Sequence, residues 1–213
     1  MKKIITLAFS IIFLVVAVAC SNDREPANND MNNKTSTNTA TDKAGTDEYY
    51  NTYTGLYNQD IKPLSAYNMY TDVNTVNDAY KDKDYPGNEK YLSDVKEAYR
   101  DSREKIQSFV NGLKNDASTN DAELKKMDQE LIDEGEKLIK NIDARLAKLD
   151  TITDKDLTKN RDDFIKLVDD RVNSVQTDNN KFTDMLKNMN NRLGIDNNNN
   201  QNSGMDNNHN RSK

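Results

Sequence analysis

Among 213 residues there is no tryptophan, one histidine, one cysteine and three prolines. A lone cysteine, Cys20, excludes an internal disulfide, a cysteine-only zinc site and a CxxC redox pair. The lone histidine, His209, lies in an asparagine-rich tail. The body therefore lacks the material for Ser-His-Asp or Cys-His chemistry and for a histidine general base. No Gly-rich phosphate loop, HExxH or GxSxG stretch occurs. The residues assign no catalytic group, no cofactor and no metal, and the expectation is a protein that is not an enzyme. Basic residues are outnumbered, 30 against 36 acidic, for a formal charge of −6, which argues against nucleic acid as a partner. Strand signals are also missing, because Val, Ile, Thr and Phe never alternate with polar residues for long.

Hydrophobic residues make up 34% of the chain, and many of them sit at its front. Lys2 and Lys3 precede an apolar run from Ile4 to Ala19, which stops at Cys20-Ser21-Asn22. A basic start, a short apolar stretch and small residues before a cleavage point form a secretory signal. The run falls short of the roughly 20 residues of a comfortable membrane span. Ala17-Val18-Ala19-Cys20 resembles the lipobox of bacterial lipoproteins. That resemblance implies a diacylglyceryl group on the Cys20 thiol and cleavage that leaves Cys20 first. Two acyl chains, at about 0.8 kcal/mol per buried methylene, hold a folded domain on a membrane stably. The implied location is the outer face of the cell membrane.

Four parts follow: a signal peptide at 1–19, a lipidated cysteine and disordered tether at 20–46, a helical body at 47–195 and a disordered Asn-rich tail at 196–213. The tether and tail are dominated by small polar residues without apolar periodicity. A flexible stretch of about 25 residues reaches roughly 25–30 Å. Within the tail, Asp196–Asn208 fails the calcium-loop pattern, since Gln201 stands at the glycine position and Asn207 at the bidentate glutamate position.

The body reads as all-α, an elongated up-down bundle of three or four antiparallel helices. Leu92, Val95, Tyr99, Ser102, Ile106, Phe109 and Leu113 repeat at spacings of three and four, a heptad seam with one polar interruption. Pro86-Gly87 predicts the turn before it. A second helix runs from a cap at Asn120 to Leu149, and Gly135 falls where its seam expects a large residue, which predicts close approach of another helix. A third, about 60 Å long, follows Thr153 and reaches Leu193, with a bend near Thr177–Asn180 and Gly194 as its C-cap. Upstream, Thr46 is placed to cap a helix through Tyr57, and Pro63 either kinks that helix or starts another. An intermolecular coiled coil is the competing arrangement, and the oligomeric state stays open.

Acidic pairs such as Asp162-Asp163 and Asp169-Asp170 are interleaved with Arg161, Lys166 and Arg171, the pattern of a solvated mixed-charge face. Tyrosine is more distinctive. All ten fall between Tyr49 and Tyr99, and tyrosine serves both recognition and the margin of a narrow bundle. Helical spacing favours packing; if a binding surface exists, Tyr49, Tyr50, Tyr53 and Tyr57 are its first candidates.

With a lipobox, an Asn-rich tether and Asp47-Glu48-Tyr49-Tyr50 at the start of a helical body, the chain resembles the small staphylococcal-type lipoproteins named for an EMYY motif. Its layout is also similar to helical cell-wall-binding lipoproteins of bacilli. Both resemblances imply an outward-facing, membrane-anchored protein of a Gram-positive bacterium, and neither implies an activity. The leading expectation is a non-enzymatic surface lipoprotein whose body contacts cell-wall polymer or another envelope protein. Competing readings are a small-ligand or metal-binding lipoprotein, and a chaperone or inhibitor of secreted proteins.

Overall fold

The computed structural model describes residues 39–175 and 180–195, with side chains from Asp47 onward. They form helices α1 (Thr39–Leu56), α2 (Val73–Ala79), α3 (Asn88–Asn115), α4 (Ala122–Leu149), α5 (Asp154–Leu157), α6 (Arg161–Asn173) and α7 (Phe182–Leu193), and no strand occurs among the described residues. Between α1 and α2 the chain continues through a π turn, Tyr57–Ile61, and a 3₁₀ stretch, Lys62–Tyr70. The architecture is an antiparallel bundle of four passes: α1 with its π and 3₁₀ continuation, then α3, α4, and α6 with α7. At about 1.5 Å per residue, α3 and α4 are each about 42 Å long.

Seams explain the packing. In α3, Leu92, Val95, Tyr99, Ser102, Ile106, Phe109 and Leu113 are all buried, as their spacing predicts. The seam of α4 runs Leu124, Asp128, Leu131, Gly135, Leu138, Ile142, Arg145 and Leu149, again at four and three. Its three unusual members each meet a particular neighbour. Gly135 lies under the fourth pass: a Cβ there would stand 2.5 Å from Val110 Cγ2 and 3.1 Å from Phe182 Cε2. Asn180 Nδ2 donates to the Glu134 carbonyl at 2.8 Å, and the Lys181 N–H donates to Glu134 Oε2 at 2.8 Å. These bonds fix the start of α7 beside that glycine. Asp128 belongs to the polar interior described below, and Arg145 is buried beside Tyr99 of α3. A second close approach was not expected: a Cβ on Gly112 would collide with the Leu56 side-chain tip.

Several boundaries differ from expectation. Helix α1 starts at Thr39, eight residues before the expected body, and Thr46 lies inside it. Once the buried turn at Tyr49 is formed, each further residue needs only propagation, and Ala40 and Ala44 are strong helix formers. The cap of α4 is Asp121, not Asn120; its Oδ1 accepts from the N–H groups of Glu123 at 2.8 Å and Leu124 at 3.0 Å. The expected third helix is divided, because Thr153 with Asp156 closes a capping box around α5, and Asn160 Oδ1 accepts from Asp163 N–H at 3.0 Å to start α6 anew. The helix stops again at Asn173 and resumes at Phe182. Of the expected bend, Thr177, Asp178 and Asn179 lie outside the described residues. Gly194 has φ +68°, with its own N–H donating to Asn191 and that of Ile195 to Asn190, a complete Schellman ending.

Pro63 starts the next helix, the second of the two expected roles, but that helix is 3₁₀ and not α. It enters the 3₁₀ stretch directly after the π turn, where the Lys62 N–H donates to the Tyr57 carbonyl five residues back. A proline removes one N–H and collides with the carbonyl four residues before it. Rewinding the hydrogen-bond register absorbs both faults without ending the pass.

Candidate functional site

The four tyrosines expected as a surface do not form one. Tyr49, Tyr53 and Tyr57 are 1%, 0% and 6% exposed, and only Tyr50, at 37%, faces solvent. Spacing of four places the first three on the inward face of α1, and Tyr50 is rotated about 100° away. The inward rings stack with centroids 6.2 Å apart, and Tyr53 meets Phe109 edge-on at 5.9 Å.

Hydroxyls carried into a core need acceptors. Tyr49 Oη donates to Asp128 Oδ1 at 2.9 Å and lies 3.7 Å from Met189 Sδ, while Tyr53 Oη donates to Asn190 Oδ1 at 2.8 Å. Tyr57 also bonds Asn190, which offsets part of the rise that burial gives its pKa. Burial lifts the Asp128 carboxyl to about 6, with the Tyr49 hydrogen bond pulling the other way. One end of the bundle is thus joined through a polar interior linking α1, α4 and α7. Arg192 reinforces it from outside, 3.0 Å from Asp121 and 3.2 Å from Glu123. These groups bind one another and expose no reactive atom to a cleft.

Tyr70, Tyr80, Tyr85 and Tyr91 gather at the opposite end. Tyr91 is ringed by Tyr70 at 6.2 Å, Tyr85 at 5.8 Å and Phe164 at 6.3 Å, and Tyr85 also meets Tyr80 at 5.6 Å. The Arg161 guanidinium stands 5.4 Å above the Tyr85 ring. Tyr85 donates to Asn88 Oδ1, whose amide in turn donates to the carbonyls of Leu157 and Lys159. The turn before α3 is thereby tied to the loop before α6. Gly87, with φ +93°, occupies a backbone region that side chains resist. An open groove of about 630 Å³ runs between the Pro86–Lys90 stretch and Leu157.

The more enclosed feature is a cleft of about 10 Å³ beneath α2, bounded by Tyr70, α2, α3 and α6. Its walls are Val73, Val76, Val95, Ile165, Val168 and Val172, and its polar groups are Asp72, Asp169 and the tyrosines 70, 91 and 99. Asp72 begins α2, its Oδ1 accepting from the N–H groups of Asn74 at 2.7 Å and Thr75 at 2.9 Å. Asp169 is half-buried; burial first, then the charges of Asp170 and Asp72, raise its pKa, while a hydrogen bond from Asn173 and the charge of Lys166 lower it. Tyr99 is 2% exposed, and its hydroxyl meets the buried Arg145 side chain of α4. Burial raises its pKa strongly, the nearby Arg145 charge lowers it and Asp169 raises it. This is the best-formed candidate site in the body. The sequence pattern did not reveal it, because Asp72 and Asp169 are about a hundred residues apart and Asp169 reads locally as half of a surface acidic pair.

Asp170, Asp163 and Asp156 have structural partners. Asp170 pairs with Lys166 at 2.8 Å, Asp163 closes on Asn160 and Asp156 on Thr153. Among the described residues no group of three or more His, Cys, Asp and Glu could hold a metal ion. No described helix is long and apolar enough to cross a membrane. Cys20 and His209 lie outside the described residues. No protein-family model matches the chain, and neither does any curated protein or solved structure.

Proposed function

We propose that the protein is a non-enzymatic, lipid-anchored surface lipoprotein whose helical body contacts cell-wall polymer or another envelope protein. The observation that carries this reading is Cys20 placed directly after Ala17-Val18-Ala19 at the end of a basic-then-apolar leader. The body adds geometric support. The contact of Tyr49, past the middle of α1, with Met189 sets that helix beside the end of α7. A tether entering α1 therefore leaves the opposite end, with the turn before α3 and the loop around α5, about 40 Å farther out. That end carries the groove and the cleft, whereas the anchored end is occupied by its own hydrogen bonds.

Labelling growing cells with an alkyne-tagged palmitate tests the anchor. The wild-type chain takes up label and fractionates with membranes, and Cys20→Ser abolishes both; equal labelling of the variant contradicts the anchor. Sedimentation of the purified full chain with isolated cell walls tests the contact separately. Failure to co-sediment with walls, together with no crosslinked envelope protein in intact cells, contradicts the second half of the reading.

A further inference from the structure

We propose that protonation of Asp128 tightens the seating of α1 and α7 on α4, which makes this end of the bundle a pH-sensitive clasp. The count of protons at the interface points to it. Tyr49 Oη has two acceptors beside it, Asp128 Oδ1 at 2.9 Å and Met189 Sδ at 3.7 Å. A hydroxyl brings one proton, so with Asp128 ionised only one of the two is served. A protonated Asp128 donates its own O–H to Tyr49 Oη and releases the Tyr49 proton to Met189 Sδ. The chain from α4 through α1 to α7 is then complete, and no charge is left between the helices.

The surroundings offer the ionised form little. From α1, Tyr49 bonds Asp128 and Tyr53 feels its charge, while Asp47 and Glu48 are exposed. From α7, Met189 brings a thioether, Asn190 is occupied by Tyr53, and Arg192 is shared between Asp121 and Glu123. From α3, Lys114 is paired with Glu136. On α4 itself Lys125 is exposed and Lys126 lies 3.8 Å from Glu130. Burial raises the Asp128 carboxyl to about 6 and the Tyr49 bond opposes it, with no lysine or arginine contributing among the described residues.

The sign follows from that direction. A seated pKa above the ordinary value near 3.9 means that the seated state holds the proton more tightly. The tightening is fully present below about pH 4 and is lost as pH rises through about 6. Loosening reaches α1 and the end of α7 first, because the α3–α4 hairpin closes through mostly aliphatic seams. The clasp does not depend on the anchor at Cys20, so either proposal can fail alone.

Hydrogen exchange of the full chain, followed amide by amide at about pH 5 and about pH 7.5 and corrected for intrinsic rates, tests the clasp. Protection in α1 and in the last turns of α7 should fall roughly five- to tenfold over that interval, with α3 and α4 nearly unchanged. Asp128→Asn keeps a donor for Tyr49 without a charge, so its α1 amides should stay protected at both pH values. A carboxyl ¹³C titration of the wild-type chain needs no variant and should give Asp128 a midpoint of about 6. Equal protection at the two pH values, a uniform loss across all four passes, or a wild-type pH response in folded Asp128→Asn overturns the proposal. An Asp128 midpoint in the ordinary range near 3.9 overturns it too.

Discussion

The first pass and the α3–α4 hairpin solve the same packing problem with different side chains. The hairpin uses mostly aliphatic seams and forms two uninterrupted helices of 28 residues each. The first pass carries tyrosines inward and changes from α to π to 3₁₀ within 32 residues. Aliphatic side chains ask only for volume, so a regular helix can supply them indefinitely. Tyrosines bring hydroxyls that must each find a particular partner, and Asp128, Asn190 and Asp101 are those partners. A segment bound at fixed points, and interrupted by Pro63, adjusts its winding between them.

Phe109 of the hairpin meets Tyr53 of the first pass on one side and Phe182 of α7, at 6.2 Å, on the other. Phe109→Ala should therefore cost about 3–5 kcal/mol in denaturant unfolding, the largest effect of any single change considered. The two glycines sharpen the contrast. Gly135→Ala meets the stiff Val110 and the Phe182 ring and should lose about 1–3 kcal/mol, despite the helix propensity gained. Gly112→Ala meets only the movable tip of Leu56 from the first pass and should fall near zero. Equal losses at the two positions would mean that the first pass is held as rigidly as the hairpin.

Polar contacts come next. Tyr53→Phe removes the donor to Asn190 Oδ1 and should cost about 1–2 kcal/mol in the same assay. Asp128 gives a pH signature. Its folded pKa of about 6 lies above the ordinary value near 3.9, so its contribution is fully present below about pH 4 and is lost as pH rises to about 6. Urea melts of wild type and Asp128→Asn should show the variant gaining relative stability across that interval, then a constant difference above it. A difference independent of pH would contradict the burial of this carboxyl. Smallest of all, Tyr50→Ala should change stability by less than about 0.5 kcal/mol.

What the residues foretell divides along the same line. The α3 seam, the approach at Gly135 and the ending at Gly194 are all visible, because period, helix propensity and left-handed conformation are local properties. Asp128 and Arg145 occupy seam positions of α4, and their charge disguises them as surface residues. The π and 3₁₀ turns leave the apolar spacing nearly unchanged, so periodicity alone does not reveal a new hydrogen-bond register. The Asp72–Asp169–Tyr99 cleft depends on three elements meeting, which no local pattern encodes.

The central claim is that the tyrosines of the first pass are interior connections rather than a recognition face. Nitration of the folded full chain with tetranitromethane, read residue by residue by mass spectrometry, tests it most directly. Rapid modification of Tyr50 is expected, with Tyr49, Tyr53 and Tyr57 protected until the protein unfolds. Nitration of those three as fast as Tyr50 in the folded protein would contradict it.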